Sequence, residues 1–171
     1  PISNGLRATG IDLRAKLFKS IHEAFGGNLK EIICGGAPIR PEIGKFFNDI
    51  GITLLNGYGI TECSPLVSVN RLKFNDSNTV GVVLPCCEIK FENINGDGDG
   101  EICVKGDIVM KGYYKDEERT NKVLKNGWFN TEDYGSINKK GQLIINGRKK
   151  NLIVLDNGKN VYPEEIENYI L

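Results

Sequence analysis

LKEIICGGAPIRPEIGKFFNDIGITLLNGYGITE, residues 29–62, changes its hydrophobic period twice, and those changes decide the fold. Leu29 to Cys34 is a short apolar run that stops at Gly35-Gly36, as a strand entering a turn does. Pro41 then stands where a first helical turn tolerates a missing N–H. Ile43, Phe46, Phe47 and Ile50 recur at helical spacing, and Gly51 is placed to close that helix. Ile52 to Leu55 is apolar again and leads into a second glycine-bearing loop, Asn56 to Glu62. Strand, helix and strand in this order predict a βαβ unit and hence a parallel sheet. In such sheets ligands bind beyond the carboxyl ends of the strands, where both glycine loops fall.

Outward from this unit, Leu13, Leu17, Phe18, Ile21 and Phe25 predict one helix over residues 11–25, stopped by Gly26-Gly27. Beyond Leu66 the pattern becomes one of short strands and polar turns, at residues 80–83, 88–92, 101–105, 141–146 and 152–155. A helix from Asp116 to Leu124 interrupts them. The expected fold class is α/β: a parallel βαβ portion, then an antiparallel β-rich lobe in the form of a distorted barrel. The start of a small α+β subdomain follows. Pro163, Glu164 and Glu165 open a last helix whose acidic first turn suits its dipole. The chain stops within it at Leu171, as an internal piece of a longer protein would.

The 171 residues hold 22 basic and 22 acidic side chains, so no overall charge draws nucleic acid or an anionic membrane. Five cysteines without a C-x-x-C pair are no disulfide framework and suit a reducing cytoplasm. No apolar run approaches the roughly 20 residues of a membrane span. Any membrane contact is expected to be peripheral, on the cytoplasmic face.

Two loops could carry chemistry. Gly35-Gly36-Ala37-Pro38 lets backbone approach a flat ligand, although the residues alone favour a plain strand-to-helix turn. The second loop, Asn56-Gly57-Tyr58-Gly59-Ile60-Thr61-Glu62, offers an aromatic face for a purine, a hydroxyl for a phosphate oxygen and a hard carboxylate for Mg²⁺. A glycine-rich turn with a packed tyrosine and a solvated glutamate remains its bland alternative.

The string NGYGITE resembles the GYGxTE motif of the adenylate-forming (AMP-binding) superfamily. Three further stretches follow in that family's order. GEICVKGDIVMKGYY (100–114) is similar to its barrel segment, GWFNTEDYG (127–135) to its GWFxTGDxG, and GRKKNLIVLDNGKNVYPEEIE (147–167) to its hinge region. The chain most resembles bacterial long-chain fatty acid CoA ligases. That resemblance implies an ATP-dependent, AMP-forming acid–thiol ligase with Mg²⁺ as metal, CoA as co-substrate and a fatty acid as substrate.

It further implies roles for individual residues. Gly36, Ala37 and Pro38 would border the adenine and acyl pocket. Asn56 and Tyr58 would hold adenine, with Gly57 and Gly59 shaping their loop. Thr61 would meet the α-phosphate and Glu62 the Mg²⁺. Asp133 would accept the ribose hydroxyls, with Arg148 on the opposite side. Lys150 would be the hinge, and Gly158 and Lys159 would lie near the pantetheine arm of CoA. Residues 1–146 would be the latter half of the large AMP-binding domain, divided at residues 65 and 66, with 147–151 the hinge and 152–171 the start of the C-terminal subdomain. Glu132 replaces the glycine usual before the ribose aspartate, which matters if that position needs a positive φ. Asn151 stands where an acidic residue is common. No Gly/Ser/Thr-rich phosphate loop precedes these motifs and no catalytic lysine follows, so the chain alone is not expected to complete the reaction.

Other acceptors give an alternative, as in peptide-synthetase adenylation domains or luciferase-like enzymes; a nucleotide-binding module without catalysis is another. Asn95, Asp97, Asp99 and Gly100 mimic the start of a calcium loop, but Gly106 stands at its twelfth position, and a hairpin turn is expected. His22, the sole histidine, is expected on a helix surface. Cys86 and Cys87 should fall on opposite faces of a strand.

Overall fold

The computed structural model describes residues 12–96, 98–155 and 160–170. The βαβ unit is formed by β1 (Glu31–Cys34), a helix over Pro41–Ile50 and β2 (Thr53–Gly59). The two strands pair in parallel from Glu31↔Thr53 to Cys34↔Asn56. Ahead of them lie two short helices, α1 (Arg14–Leu17) and α2 (Lys19–Ala24), so the helix over 41–50 is α3. The single helix predicted over 11–25 is therefore broken, with Phe18 at φ −108° and ψ 34° between the two pieces.

His22 corrects a second expectation, because it is buried rather than on the surface. The last carbonyls of a helix have no partner within it. Here the Arg14 guanidinium donates to the carbonyl of Asn48, and His22 Nε2 lies 2.8 Å from that of Ile50. Gly51, at φ 94°, turns the chain out of α3. The first two helices thus serve as a cap for the third.

Strand β2 runs four residues past the predicted strand, so Asn56 to Gly59 is strand rather than loop. Its first half faces β1; from Gly57 onward it pairs antiparallel with β3 (Leu66–Val69), which pairs in turn with β4 (Val82–Val83). A bulge at Tyr58/Gly59 shifts the register within the β2–β3 pairing. A Cβ at Gly59 would lie 2.1 Å from the Pro65 carbonyl oxygen, so the close return of the chain requires glycine.

The second sheet is antiparallel and curled. It joins β5 (Cys87–Glu92), β6 (Gly100–Gly106), β8 (Trp128–Ile137) and β7 (Leu124–Lys125), with β9 (Leu143–Arg148) on the far part of β8. Helix α4 (Glu117–Val123) is capped by Asp116, whose Oδ1 accepts from the Arg119 amide at 2.9 Å. The β5–β6 connection carries the calcium-loop look-alike; the amide of Gly98 donates to the Asn95 carbonyl at 3.1 Å in a hairpin turn, and Asp97 lies outside the described residues. Among the described residues no three His, Cys, Asp or Glu side chains gather as a metal cage. Cys86 is exposed and Cys87 half-buried against the core.

One core joins the two sheets: Tyr58, Cys63 and Val67 from the first side, Ile102, Val104, Phe129 and Leu143 from the second. Each fully buried apolar side chain of this kind is worth about 1.5–3 kcal/mol. A buried polar clamp reinforces the join. Asn70 Nδ2 donates to the Thr79 carbonyl at 2.8 Å, and Gln142 Nε2 donates to the Phe74 carbonyl at 3.1 Å and to Asn70 Oδ1 at 3.4 Å. Loop 70–81 is thereby held between the sheets.

After β9 come a 3₁₀ turn (Lys149–Asn151), the antiparallel pair β10 (Ile153–Val154) and β11 (Asn160–Val161), and α5 (Pro163–Ile170). Tyr162 packs its ring 6.4 Å from that of Tyr134 on β8. No described helix is long and apolar enough to cross a membrane.

Candidate functional site

Where β1 and β2 end, a cleft of about 510 Å³ opens toward β8 and β9. Gly36, Ala37 and Pro38 line one wall, Asn56, Gly57, Tyr58 and Gly59 the floor, and Asp133 and Arg148 the opposite wall. Gly36 and Arg148, 112 positions apart in the chain, are thus brought to one space, of a size that takes small-molecule ligands. Gly36 adopts φ 86° in this wall, a conformation that disfavours a side chain.

Asp133 is the centre of the polar arrangement. It lies directly across the β8–β9 ladder from Arg148, whose Nε is 3.2 Å from Oδ1. Tyr58 donates its hydroxyl to Oδ2 at 2.6 Å. Each oxygen has one partner, and an ionised carboxylate has about four acceptor sites, so capacity remains for further hydroxyl donors. Burial, opposed by the Tyr58 hydrogen bond and the Arg148 charge, holds the Asp133 carboxyl above the usual carboxylate range. Burial, and then the nearby Asp133 charge, pushes the Tyr58 phenol far up, so Tyr58 remains a donor at any physiological pH. The Tyr58 ring belongs to the core, and a ligand meets only the part that lines the cleft.

Glu132 sits immediately before Asp133 at φ 60°. The positive φ that a glycine would adopt freely is present, with a glutamate in it. Asn130 Oδ1 accepts from the Glu132 amide at 3.0 Å, and Thr131 Oγ1 from the Asp133 amide at 3.1 Å, which keeps the bend that aims Asp133 into the cleft.

Thr61 and Glu62 occupy the 3₁₀ turn after β2, at the rim rather than in the lining of the cleft. Thr61 is exposed. Glu62 Oε1 accepts from the Tyr113 hydroxyl at 2.9 Å, while its backbone carbonyl accepts from the Met110 amide at 2.8 Å. Lys150 is exposed in the 3₁₀ turn after β9 and is not part of the cleft lining. Gly158 and Lys159 lie outside the described residues.

Thr79, Val80, Ile145 and Asn146 also line the cleft and were not singled out by the sequence. Their signal is tertiary: loop 70–81 and the end of β9 reach the site only through pairing between the sheets.

A family model described as AMP-binding enzyme matches residues 7–114. The chain belongs to the AMP-binding enzyme family. It is 34% identical over 168 residues to the long-chain-fatty-acid–CoA ligase FadD15 of Mycobacterium bovis, covering 94% of this chain and 27% of that protein. It is 40% identical over 159 residues to the long-chain-fatty-acid–CoA ligase 6 of Rattus norvegicus, covering 88% and 23%. The chain thus spans about a quarter of the length of these relatives. Among solved structures it is similar to the O-succinylbenzoate coenzyme A synthetase of Bacillus subtilis in complex with ATP and magnesium ion. The TM-score is 0.73 at 32% identity, over 82% of this chain and 31% of that one.

As an AMP-binding chain it has an adequate donor and acceptor set for a nucleoside, with an amide at Asn56, a buried carboxylate at Asp133 and a guanidinium at Arg148. Glu62 brings a carboxylate to the rim, and its Oε2 has no hydrogen-bond partner among the described residues. A single carboxylate fits a magnesium ion that arrives on phosphates, since that ion takes one or two carboxylates and keeps its other positions for phosphate and water.

Proposed function

We propose that this chain is the nucleotide-holding middle of an AMP-forming acid–thiol ligase that activates a long-chain fatty acid with ATP and passes it to CoA. The observation that carries the reading is the convergence of Tyr58, Asp133 and Arg148 on one cleft beside Asn56 and Glu62. The names of the relatives point to the fatty acid and to CoA. Residues 1–146 are read as the end of the large domain, 147–151 as the hinge and 152–171 as the start of a second domain.

In this reading Asn56 and the open part of Tyr58 hold adenine, Gly36 to Pro38 close the pocket beside it, and Asp133 accepts the ribose hydroxyls with Arg148 alongside. Charge-assisted bonds of that kind are worth about 1.5–3 kcal/mol. The fatty acid carboxylate attacks the α-phosphorus, the bond to pyrophosphate breaks, and the CoA thiolate then displaces AMP from the acyl carbon. A carboxylate is already an anionic nucleophile, so the first step needs no general base. Thr61 donates to an α-phosphate oxygen as charge builds there. Glu62 would hold a magnesium ion, which would supply positive charge to the phosphates. Lys150 is read as the hinge, and Gly158 and Lys159 as part of the CoA-facing loop.

The test is ATP–pyrophosphate exchange by the full-length protein with a panel of carboxylic acids, repeated with CoA to detect the thioester. Exchange with long-chain fatty acids and CoA-dependent thioester is the expected result. Exchange without thioester would place the acceptor elsewhere. No exchange with any acid would leave only a binding module.

A further inference from the structure

Glu62 is gripped twice by one segment, residues 110–120, which belongs to no strand of either sheet. Its backbone oxygen accepts from the Met110 amide at 2.8 Å, and its Oε1 from the Tyr113 hydroxyl at 2.9 Å. Tyr113 is itself fixed from two sides. Its amide donates to Thr120 Oγ1 at 2.9 Å, and the Arg119 guanidinium lies 4.1 Å from its ring centroid. Gly112, at φ 150°, allows this approach, since a Cβ there would lie 2.9 Å from Thr120 Cγ2. Thr120 Oγ1 donates in turn to the Asp116 carbonyl at 2.7 Å, within the cap of α4.

We propose that Tyr113, set by Arg119 and Thr120, is a positioning residue that orients the Glu62 carboxylate and leaves Oε2 to face a phosphate-bound divalent cation. The inference rests on the reading of Glu62 given above. A carboxylate on a short 3₁₀ turn has several rotamers, and a neutral hydroxyl on one oxygen selects among them without cancelling the charge. Partners of this kind, one shell behind a metal ligand, typically change metal affinity or activity about 10–100-fold.

The experiment compares Tyr113→Phe, Arg119→Leu, Glu62→Ala and the control Tyr114→Phe in the full-length protein. Mn²⁺ binding in the presence of ATP is followed by electron paramagnetic resonance, and the metal concentration dependence of pyrophosphate exchange is measured beside it. Tyr113→Phe is expected to weaken Mn²⁺ binding about tenfold and raise the KM for metal similarly, while kcat at saturating metal, the KM for acid and the Tm stay near wild type. Arg119→Leu should shift metal affinity in the same direction by less, and Tyr114→Phe, whose ring is exposed, should not shift it. Unchanged metal affinity in Tyr113→Phe while Glu62→Ala loses it would overturn this inference alone. So would a lower rate or Tm with unchanged metal affinity. If Glu62→Ala itself binds Mn²⁺ like wild type, the role of Glu62 falls and this inference with it.

Discussion

Lys149 places its Nζ 3.0 Å from both carboxylate oxygens of Glu101, a side chain with no exposed surface. Asn93 Nδ2 adds a third hydrogen bond at 2.9 Å. The pair ties the middle strand of the curled sheet to the residue just after Arg148. Removing one partner of a buried ion pair costs about 3–5 kcal/mol. Half of the Lys149 side chain is in water, and water can replace part of the loss, so Lys149→Ala is expected to cost about 2 kcal/mol, measured by denaturant unfolding. The Glu101 hydrogen bond raises the Lys149 pKa above its ordinary 10.5. The stabilisation is therefore fully present below that value and is lost only as pH rises through the higher folded-state value.

Glu132→Gly should stabilise the protein. A side chain in the left-handed region costs about 1–2 kcal/mol, and the greater freedom of glycine in the unfolded chain returns part of it. The expected net gain is about 0.5–1 kcal/mol, read as a rise of a few degrees in Tm. The same change removes a negative charge that helps to hold the Asp133 carboxyl up, so nucleotide affinity at acid pH should improve.

If Asp133 accepts the ribose hydroxyls as proposed, nucleotide affinity should fall on acidification, because protonation removes the charged acceptor. Burial raises its pKa above the ordinary 3.8, so the loss begins at a higher pH than for a free aspartate. Arg148 opposes that rise; in Arg148→Ala the midpoint should move further up, as nucleotide titrations at several pH values will show. The linkage to stability has the opposite sign. The folded protein binds this proton more tightly than the unfolded one, so the Asp133 contribution to stability declines as pH rises through 3.8 toward the folded-state value.

Thr61→Ala and Glu62→Ala should each slow adenylation by about 10²–10³, the usual effect of losing one preorganised group at a charged transition state. Pyrophosphate exchange at saturating substrate measures this. Wild-type exchange in either variant would remove that residue from the mechanism.

Much of this was legible in the sequence because it is written locally. The parallel β1–α3–β2 unit follows from apolar spacing and from Pro41 and Gly51, and the four motifs carry the family. What escaped depends on partners distant in the chain. The extension of β2 through Tyr58 comes from pairing with β3, and the ten-residue β8 alternates too irregularly around its bulge at Tyr134/Gly135 to be recognised as a strand. His22 gave no local sign of capping α3, since its acceptor, Ile50, is 28 residues away. The departure at Glu132 was visible as a missing glycine, but only the backbone shows that the unusual conformation is kept.

Tyr58 has its ring among the core side chains and its hydroxyl on Asp133, so the floor of the cleft is also a keystone between the sheets. Damage on the far side of that packing, a trimmed Val104 or Phe129 with no contact to any ligand, will therefore register first as weakened nucleotide capture on warming. In such a protein, heat-sensitive alleles and ligand-binding alleles are drawn from the same set of positions.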